Sequence, residues 1–151
     1  MKYSCEIIIN APRKEVIEKL DNAENMKHWQ KGLIDYQFTS GTPGEPGATM
    51  SLEYQMGKRN LKMVETIVKN DFPNEFHANY DAKGVHNKQQ NYFTELEDGS
   101  TKWRSDSEFK FSGFGLKLLG WIMPGAFKKQ SLVYLKDFKA FVEDNTSVAQ
   151  D

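Results

Sequence analysis

Residues 113–143 read GFGLKLLGWIMPGAFKKQSLVYLKDFKAFVE, and this stretch indicates more about the architecture than any other part of the chain. It predicts one long helical segment that is interrupted at Pro124. Five of its residues follow one another at alternating spacings of four and three, which is typical of a stripe along one side of a helix: Phe127, Ser131, Tyr134, Phe138 and Phe141. A helix with so broad an aromatic face is expected to lie against a large apolar surface.

The residues before this stretch are mostly strand-like. Residues 3–9 alternate and predict a first strand. Two short helices follow, with Asn10 expected to cap the first and Asp21-Asn22 the second. Six further strands are predicted over residues 33–39, 49–56, 59–69, 75–81, 85–96 and 101–111. Their short connections indicate antiparallel neighbours, and a long helix held by such a sheet is typical of a container for a ligand.

Composition favours one domain, predicted over residues 1–144, with a flexible tail at 145–151. The 20 basic and 21 acidic residues are nearly balanced, which gives no support to nucleic acid as a partner. The single cysteine, Cys5, excludes an internal disulfide and is expected to be a buried packing group in a reducing cytoplasm. The first residues do not resemble a signal peptide, and no segment is long and apolar enough to span a bilayer. We therefore expect a soluble, cytoplasmic protein.

The sequence contains no recognisable catalytic, cofactor or metal motif. Its three histidines, His28, His77 and His86, fall on different predicted elements and lack the spacing of a zinc site. Surface positions are the simpler interpretation, although His77 and His86 could approach one another across a hairpin. Neither a phosphate-binding loop nor a dinucleotide-binding pattern is present. No cofactor or metal is predicted, and enzymatic activity has no direct support.

Aromatic residues, methionines and a few polar groups share the predicted strand faces. Glu65 alternates with Met63, and Ser105 and Ser107 fall between Trp103 and Phe109. Polar groups that interrupt an apolar face are typical of a pocket with orienting contacts, although an ordinary core or a solvated face of opposite phase would give a similar pattern. The candidate cavity residues are Trp29, Leu52, Tyr54, Met63, Glu65, Phe76, Tyr80, Trp103, Phe109, Phe127, Ser131, Tyr134 and Phe138.

The segment before Pro124 is unusually apolar and is flanked by lysines. It could be a mobile lid over the cavity, a surface that contacts a membrane or partner, or plain packing over the end of the sheet. The gate candidates are Leu118, Trp121, Ile122, Met123 and Pro124.

The order of these elements resembles the START/birch-pollen-allergen-like (SRPBCC) helix-grip superfamily. Within it, the chain is most similar to the bacterial polyketide cyclase/dehydrase and lipid-transport-like group. The resemblance covers residues 1–144 and includes a glycine-rich loop at 41–47 and the closing run from Leu135-Lys136 to Val142-Glu143. It implies an α+β helix-grip fold, in which a seven-stranded antiparallel sheet wraps around a long C-terminal helix and two short helices follow strand 1. It also implies an apolar cavity, but no common catalytic set.

Three functions remain open at this point. The first is binding, for transport or sensing, of a hydrophobic small molecule or lipid in the cavity. The second is a polyketide cyclase/dehydratase-like enzyme, for which Glu65, His77 and Tyr80 are the first side chains to consider as acids or bases. The third is a module that docks to a partner or peripherally to a membrane through residues 114–123. The sequence does not predict an oligomeric state.

Overall fold

The computed structural model of the chain describes residues 1–113 and 124–149. Three α-helices and seven β-strands make up this part of the chain. In chain order they are β1 (Lys2–Ile9), α1 (Arg13–Leu20), a 3₁₀ turn (Ala23–Asn25), α2 (Met26–Trp29), β2 (Leu33–Ser40), β3 (Thr49–Met56), β4 (Arg59–Asp71), β5 (Glu75–Ala82), β6 (Val85–Glu95), β7 (Thr101–Phe111) and α3 (Pro124–Asp144).

The strands form one antiparallel sheet in the order β1-β7-β6-β5-β4-β3-β2. Strands β2 to β7 are a meander, as their short connections predict, and β1 pairs with β7 along its whole length. This pairing brings the beginning of the chain beside its last strand, next to the C-terminal helix. The predicted α+β helix-grip architecture is therefore confirmed, with strand ends that differ from the predicted bounds by at most two residues.

One prediction about a helix end is wrong. Asn10 does not cap α1, because the helix begins at Arg13 and the extended residue Pro12 occupies the cap position without a side-chain hydrogen bond. Of the helical stretch predicted over residues 113–143, the part from Pro124 onward is present as α3, and residues 114–123 lie outside the described part of the chain. By contrast, the predicted cap at Asn22 is present, as its side-chain oxygen accepts from the Glu24 amide at 3.0 Å.

The core has two parts. The first joins α1, α2, β1, β6, β7 and the C-terminal half of α3 around the fully buried ring of Phe138. That ring meets Trp29 and Trp103 edge to face, with centroids 5.2 and 5.3 Å away. The second part is smaller and contains Met26, Met50, Leu52 and Tyr54. Close packing of rings fills one end of the interior, whereas methionine and tyrosine side chains occupy the other.

Residues that follow α3 return to α2. The Val148 amide donates to the His28 carbonyl oxygen at 3.0 Å, and His28 Nδ1 lies 2.7 Å from the Ser147 hydroxyl. The His28 ring also stacks on Phe141, with centroids 5.2 Å apart. These contacts hold the beginning of the tail to the domain, while its flexibility in solution stays a prediction.

Candidate ligand-binding site

The face of the sheet turned towards α3, here called the inner face, can be followed from strand to strand through the pairing register. Cys5 lies opposite Ser105, Ser105 opposite Asn91, and Asn91 opposite Phe76. Alternation along β5 places Tyr80 on the same face as Phe76. Tyr80 lies opposite Glu65, and Glu65 opposite Met50. The inner face therefore carries the predicted mixture of apolar and polar side chains.

Glu65 and Tyr80 form a hydrogen-bonded pair on this face. The Tyr80 hydroxyl donates to Glu65 Oε2 at 2.8 Å. Burial raises the pKa of the Glu65 carboxyl, and the bond from Tyr80 offsets part of that rise. Burial, followed by the neighbouring Glu65 carboxylate, raises the pKa of Tyr80. The protonated form of Glu65 is therefore favoured more than in a carboxyl group surrounded by water.

Two further tyrosines adjoin this pair. Burial raises the pKa of Tyr54, with smaller contributions from Tyr134 on α3 and from Glu65. The Tyr54 hydroxyl donates to Gln30 Oε1 at 2.5 Å, so its hydrogen is already bound within the protein. Burial also raises the pKa of Tyr134. Strands β3, β4 and β5 and helix α3 thus bring three phenols and one carboxyl group to the same part of the interior.

A second polar group lies on β6 and β7. Asn91 Oδ1 accepts from the Trp103 indole nitrogen at 3.0 Å, and Gln89 Nε2 donates to Asn87 Oδ1 at 2.8 Å. Asn87 Nδ2 donates to the Glu108 carbonyl oxygen at 3.2 Å. Asn87, Gln89 and Asn91 were not among the residues predicted from the sequence. The period-two run from Val85 to Phe93 was the available signal, because it places three amides on the same face as two apolar side chains.

Five of the predicted cavity residues lie together at the methionine and tyrosine end of the interior. Leu52 and Tyr54 belong to the smaller core cluster, and Met63 and Tyr80 pack against it. Glu65 joins them through its hydrogen bond with Tyr80. Met63, Glu65 and Tyr80 are only half-buried although they lie in the interior of the fold. A sixth, Tyr134, packs against the aromatic core and is close enough to Tyr54 to contribute to the raised pKa of that residue.

The other predicted cavity residues have different surroundings. Trp29, Trp103 and Phe138 interlock in the aromatic core, and Phe76 stacks on Phe72 with centroids 5.1 Å apart. Near the start of α3, the rings of Phe109 and Phe127 lie 5.0 Å apart, and the Ser131 hydroxyl meets that of Tyr3. Ligand contact by any of these residues stays a prediction. Four gate candidates, Leu118, Trp121, Ile122 and Met123, lie outside the described residues, and the fifth, Pro124, begins α3.

The histidine of the proposed catalytic set lies on the opposite side of the sheet. His77 is three residues from Tyr80 on β5, and alternation therefore turns its side chain outward. There, His77 Nε2 lies 3.0 Å from Glu75 Oε2, and the ring meets Tyr92 edge to face. The predicted set of Glu65, His77 and Tyr80 is thus not assembled.

His77 and His86 do not share a site either. His86 pairs with Asp81, which lies four residues along β5 from His77, a separation of about 13 Å in an extended strand. Among the residues described, no group of three or more potential ligands could hold a metal ion. In the same part of the chain, no helix combines the length and the apolar character that a bilayer crossing requires.

The outer face of the sheet carries two clefts that are lined by described residues. The larger has a volume of about 340 Å³, and its lining includes Lys88, Gln90, Asp106 and Glu108. Charged and amide side chains of this kind suit water and ions better than an apolar ligand. The inner face is therefore the stronger candidate site.

Solved structures of other proteins share this architecture. The chain is similar to Ara h 8.0201, with 12% identity and a TM-score of 0.73 over 94% of this chain and 97% of that one. It is also similar to the Zhui aromatase/cyclase from Streptomyces sp. R1128, with 11% identity and a TM-score of 0.80 over 95% and 93% of the two chains. A conserved protein from Geobacillus kaustophilus gives 13% identity and a TM-score of 0.79 over 97% of each chain.

These similarities define the class of fold. The chain has a helix-grip fold, which these structures share, as the order of its elements predicts. No family model matches the sequence, and no curated protein sequence matches it either. At identities this low, the shared architecture concerns the fold alone.

Proposed function

We propose that the protein binds a hydrophobic small molecule or lipid between the inner face of the sheet and α3. One observation carries this proposal, namely the contrast between the two ends of the interior. At the aromatic end, Phe138 and Ile9 are fully buried. At the other end, the side chains of Met63, Glu65 and Tyr80 keep partial exposure although they lie on the inner face of the sheet.

The chemistry of this half-buried region supports the same conclusion. Methionines such as Met50 and Met63 adapt to ligands of irregular shape, and every square ångström of apolar surface removed from water contributes about 25 cal/mol. Glu65 and Tyr80 supply the few polar contacts that orient a ligand in a mostly apolar pocket. The helix-grip neighbours support ligand binding as a general role of the architecture.

Displacement of a neutral fluorescent probe, such as N-phenylnaphthylamine, tests this proposal. Met63→Trp adds a large side chain to the inner face, and Val64→Trp adds the same side chain to the outer face of β4, where Val64 is 41% exposed. We expect the first change to weaken probe binding by about tenfold or more and the second to leave it unchanged. Native mass spectrometry of the purified protein would reveal a retained ligand. The proposal fails if the unaltered protein binds neither probe nor lipid, or if both variants bind alike.

A cyclase-like enzyme is the second candidate, and the Glu65–Tyr80 pair favours it. A carboxyl group with a raised pKa beside a phenol can exchange a proton with a substrate, and one neighbour of the same fold is an aromatase/cyclase. Glu65→Gln would then abolish turnover of a polyketide-like substrate while ligand binding persists. Turnover that survives this change would exclude Glu65 as the acid or base.

We also propose a cellular compartment for the protein and bounds for its ligand-binding domain. Cys5 is a buried free thiol, which is compatible with a reducing cytoplasm. Residues 1–144 are proposed to form one ligand-binding domain, since β1 pairs with β7 and α3 packs on β1. Docking to a membrane or partner through residues 114–123 stays a prediction, because these residues lie outside the described part of the chain.

A further inference from the structure

Glu65 offers one uncommitted carboxyl oxygen to the interior. Its Oε2 accepts the hydrogen bond from Tyr80, whereas Oε1 has no hydrogen-bond partner among the described residues. Glu65 lies between Met50 on β3 and Tyr80 on β5, and its neighbour on the same face of β4 is Met63. Oε1 is not among the described side-chain atoms that are fully buried without a partner, so a ligand can reach it, and a ligand atom that donates to it or accepts from it gains affinity.

The groups that face Glu65 are phenols. Tyr80 on β5 donates a hydrogen bond to it, and Tyr54 on β3 is close enough for Glu65 to contribute to its raised pKa. On α3, Tyr134 adjoins Tyr54, and Asp137, one turn further along, is influenced by Lys31; neither Asp137 nor Lys31 affects the pKa of Glu65. Arg59 shares the inner face of β4, but it lies six residues along the strand, about 20 Å away, and is exposed at the turn. The ion pair between Glu53 and Lys62 lies on the outer face. Among described residues, no cation is therefore placed to balance a negative charge beside Glu65.

This arrangement discriminates between ligand head groups. A fatty-acid carboxylate beside an ionised Glu65 would be repelled, and beside a neutral Glu65 it would still lose its water shell without a cationic partner. A hydroxyl or carbonyl group loses far less on burial, and the carboxyl of Glu65 can donate to it or accept from it. Resting on the binding function proposed above, we infer that the site selects neutral amphiphiles, apolar molecules that carry a hydroxyl or carbonyl group, over anionic ones, with Glu65 and Tyr80 holding the polar group.

The two kinds of neutral ligand respond differently to pH. A ketone only accepts hydrogen bonds, and it can therefore bond to Glu65 only when the carboxyl is protonated. Because burial favours that form, ketone binding persists above the pH at which an ordinary carboxyl ionises, and it weakens as Glu65 loses its proton. An alcohol can donate to the carboxylate instead, and its binding changes less over the same range.

Competition against the neutral fluorescent probe tests the inference with four ligands of equal chain length: dodecanol, a dodecanone, dodecanoate and dodecylammonium. We expect the alcohol and the ketone to bind about tenfold or more tightly than dodecanoate at neutral pH. Glu65→Gln keeps a neutral hydrogen-bonding group, so it should preserve the preference and remove the pH dependence of ketone binding. Glu53→Gln, on the outer face of β3, is the matched control and should change neither property.

Each alternative result has one meaning. If the probe and all four ligands fail to bind to the folded protein, the binding function itself is wrong. If the probe binds and dodecanoate competes as well as the alcohol, only the selectivity is wrong. Tightest binding of dodecylammonium would assign Glu65 as an ionised counter-ion and overturn the inference. A ketone profile that Glu65→Gln leaves unchanged would overturn it as well.

Discussion

The hydroxyl oxygens of Tyr3 and Ser131 lie 2.7 Å apart, and this contact joins the first strand to the last helix. The Tyr3 hydroxyl is also within hydrogen-bond distance of the Phe127 carbonyl oxygen, at 3.2 Å. The Cys5 thiol makes a similar, longer contact with the Lys128 carbonyl oxygen, at 3.8 Å. Strand β1 thus holds the beginning of α3 through side chains, on the same side of the sheet as the candidate site.

The bond between these two hydroxyls should be measurable as a coupling energy. Tyr3→Phe and Ser131→Ala each remove one partner, and the double variant removes both. A hydrogen bond makes a net contribution of about 0.5–1.5 kcal/mol to stability. We therefore expect the sum of the losses in unfolding free energy of the two single variants to exceed the loss of the double variant by about that amount. Urea unfolding of the four proteins measures it, and strictly additive effects would show that the hydroxyls act independently.

Phe138→Ala should be the most destabilising of the changes considered. The ring is fully buried between two tryptophans, and its removal leaves a cavity that a close-packed core cannot refill. Losses of about 3–5 kcal/mol are usual for such changes. Phe38→Ala is the control, since Phe38 is 55% exposed, and it should cost about 0.5 kcal/mol or less. Similar losses for both variants would contradict the described core.

A hydrogen bond from Thr101 connects the last strand, β7, to the loop that follows β1. The Thr101 side chain is fully buried, and its hydroxyl donates to the Ala11 carbonyl oxygen at 2.9 Å. Thr101→Val keeps the shape of the side chain but leaves that carbonyl without its partner, at an expected cost of about 1–3 kcal/mol. Thr101→Ser keeps the hydroxyl and should recover part of the loss. Thermal unfolding of the two variants compares them, and equal stability would exclude a role for the hydrogen bond.

Glu65 should make stability depend on pH in a defined direction. Because its pKa in the folded state is raised above the ordinary 4.5, folding favours the protonated carboxyl. This stabilisation is complete below the ordinary value and is lost as the pH rises through the raised one. Glu65→Gln cannot titrate and escapes the loss, so the variant should gain stability relative to the unaltered protein as the pH rises above 4.5. Parallel stability curves over that range would rule out the raised pKa.

Alanine substitutions at Gly32 and Gly57 distinguish the cost of backbone strain from the cost of a steric clash. Both glycines adopt positive φ, at 91° and 64°, which any other residue adopts at a cost of about 1–2 kcal/mol. A Cβ on Gly32 would lie 2.8 Å from the Gln55 carbonyl oxygen, whereas one on Gly57 would meet nothing within 4 Å. Gly32→Ala should therefore destabilise the protein more than Gly57→Ala in urea unfolding. Equal losses would mean that the close approach at Gly32 relaxes without cost.

Most of the candidate site could be predicted from alternation along single strands. Glu65 was identified because it alternates with Met63 and Ile67, and Tyr80 because it alternates with Phe76. His77 belongs to the same predicted set only as a histidine on a strand, and its position three residues from Tyr80 already places it on the other face. Asn91 was missed because an amide in a strand indicates an inner face only when its cross-strand neighbours, here Phe76 and Ser105, are known.

The irregularity in β4 shows where alternation stops being sufficient. The pairing between β4 and β5 shifts between Ile67 and Lys69, so that Lys69 lies opposite the outward-facing His77. Beyond a bulge of this kind, side chains that alternation would place on one face of the strand lie on the other. The β-branched and charged residues at the bulge give no local signal of this change. Strict alternation would have assigned Lys69 to the interior.

Local periodicity thus established the number and direction of the strands, the apolar stripe of α3 and the helix-grip order, because these depend on side chains close together in sequence. The association of Glu65 with Tyr80 and Tyr54, and the separation of the interior into an aromatic core and a half-buried polar region, depend on register and on the placement of α3. Those are set by contacts between residues far apart in the chain, and only the folded protein brings them together.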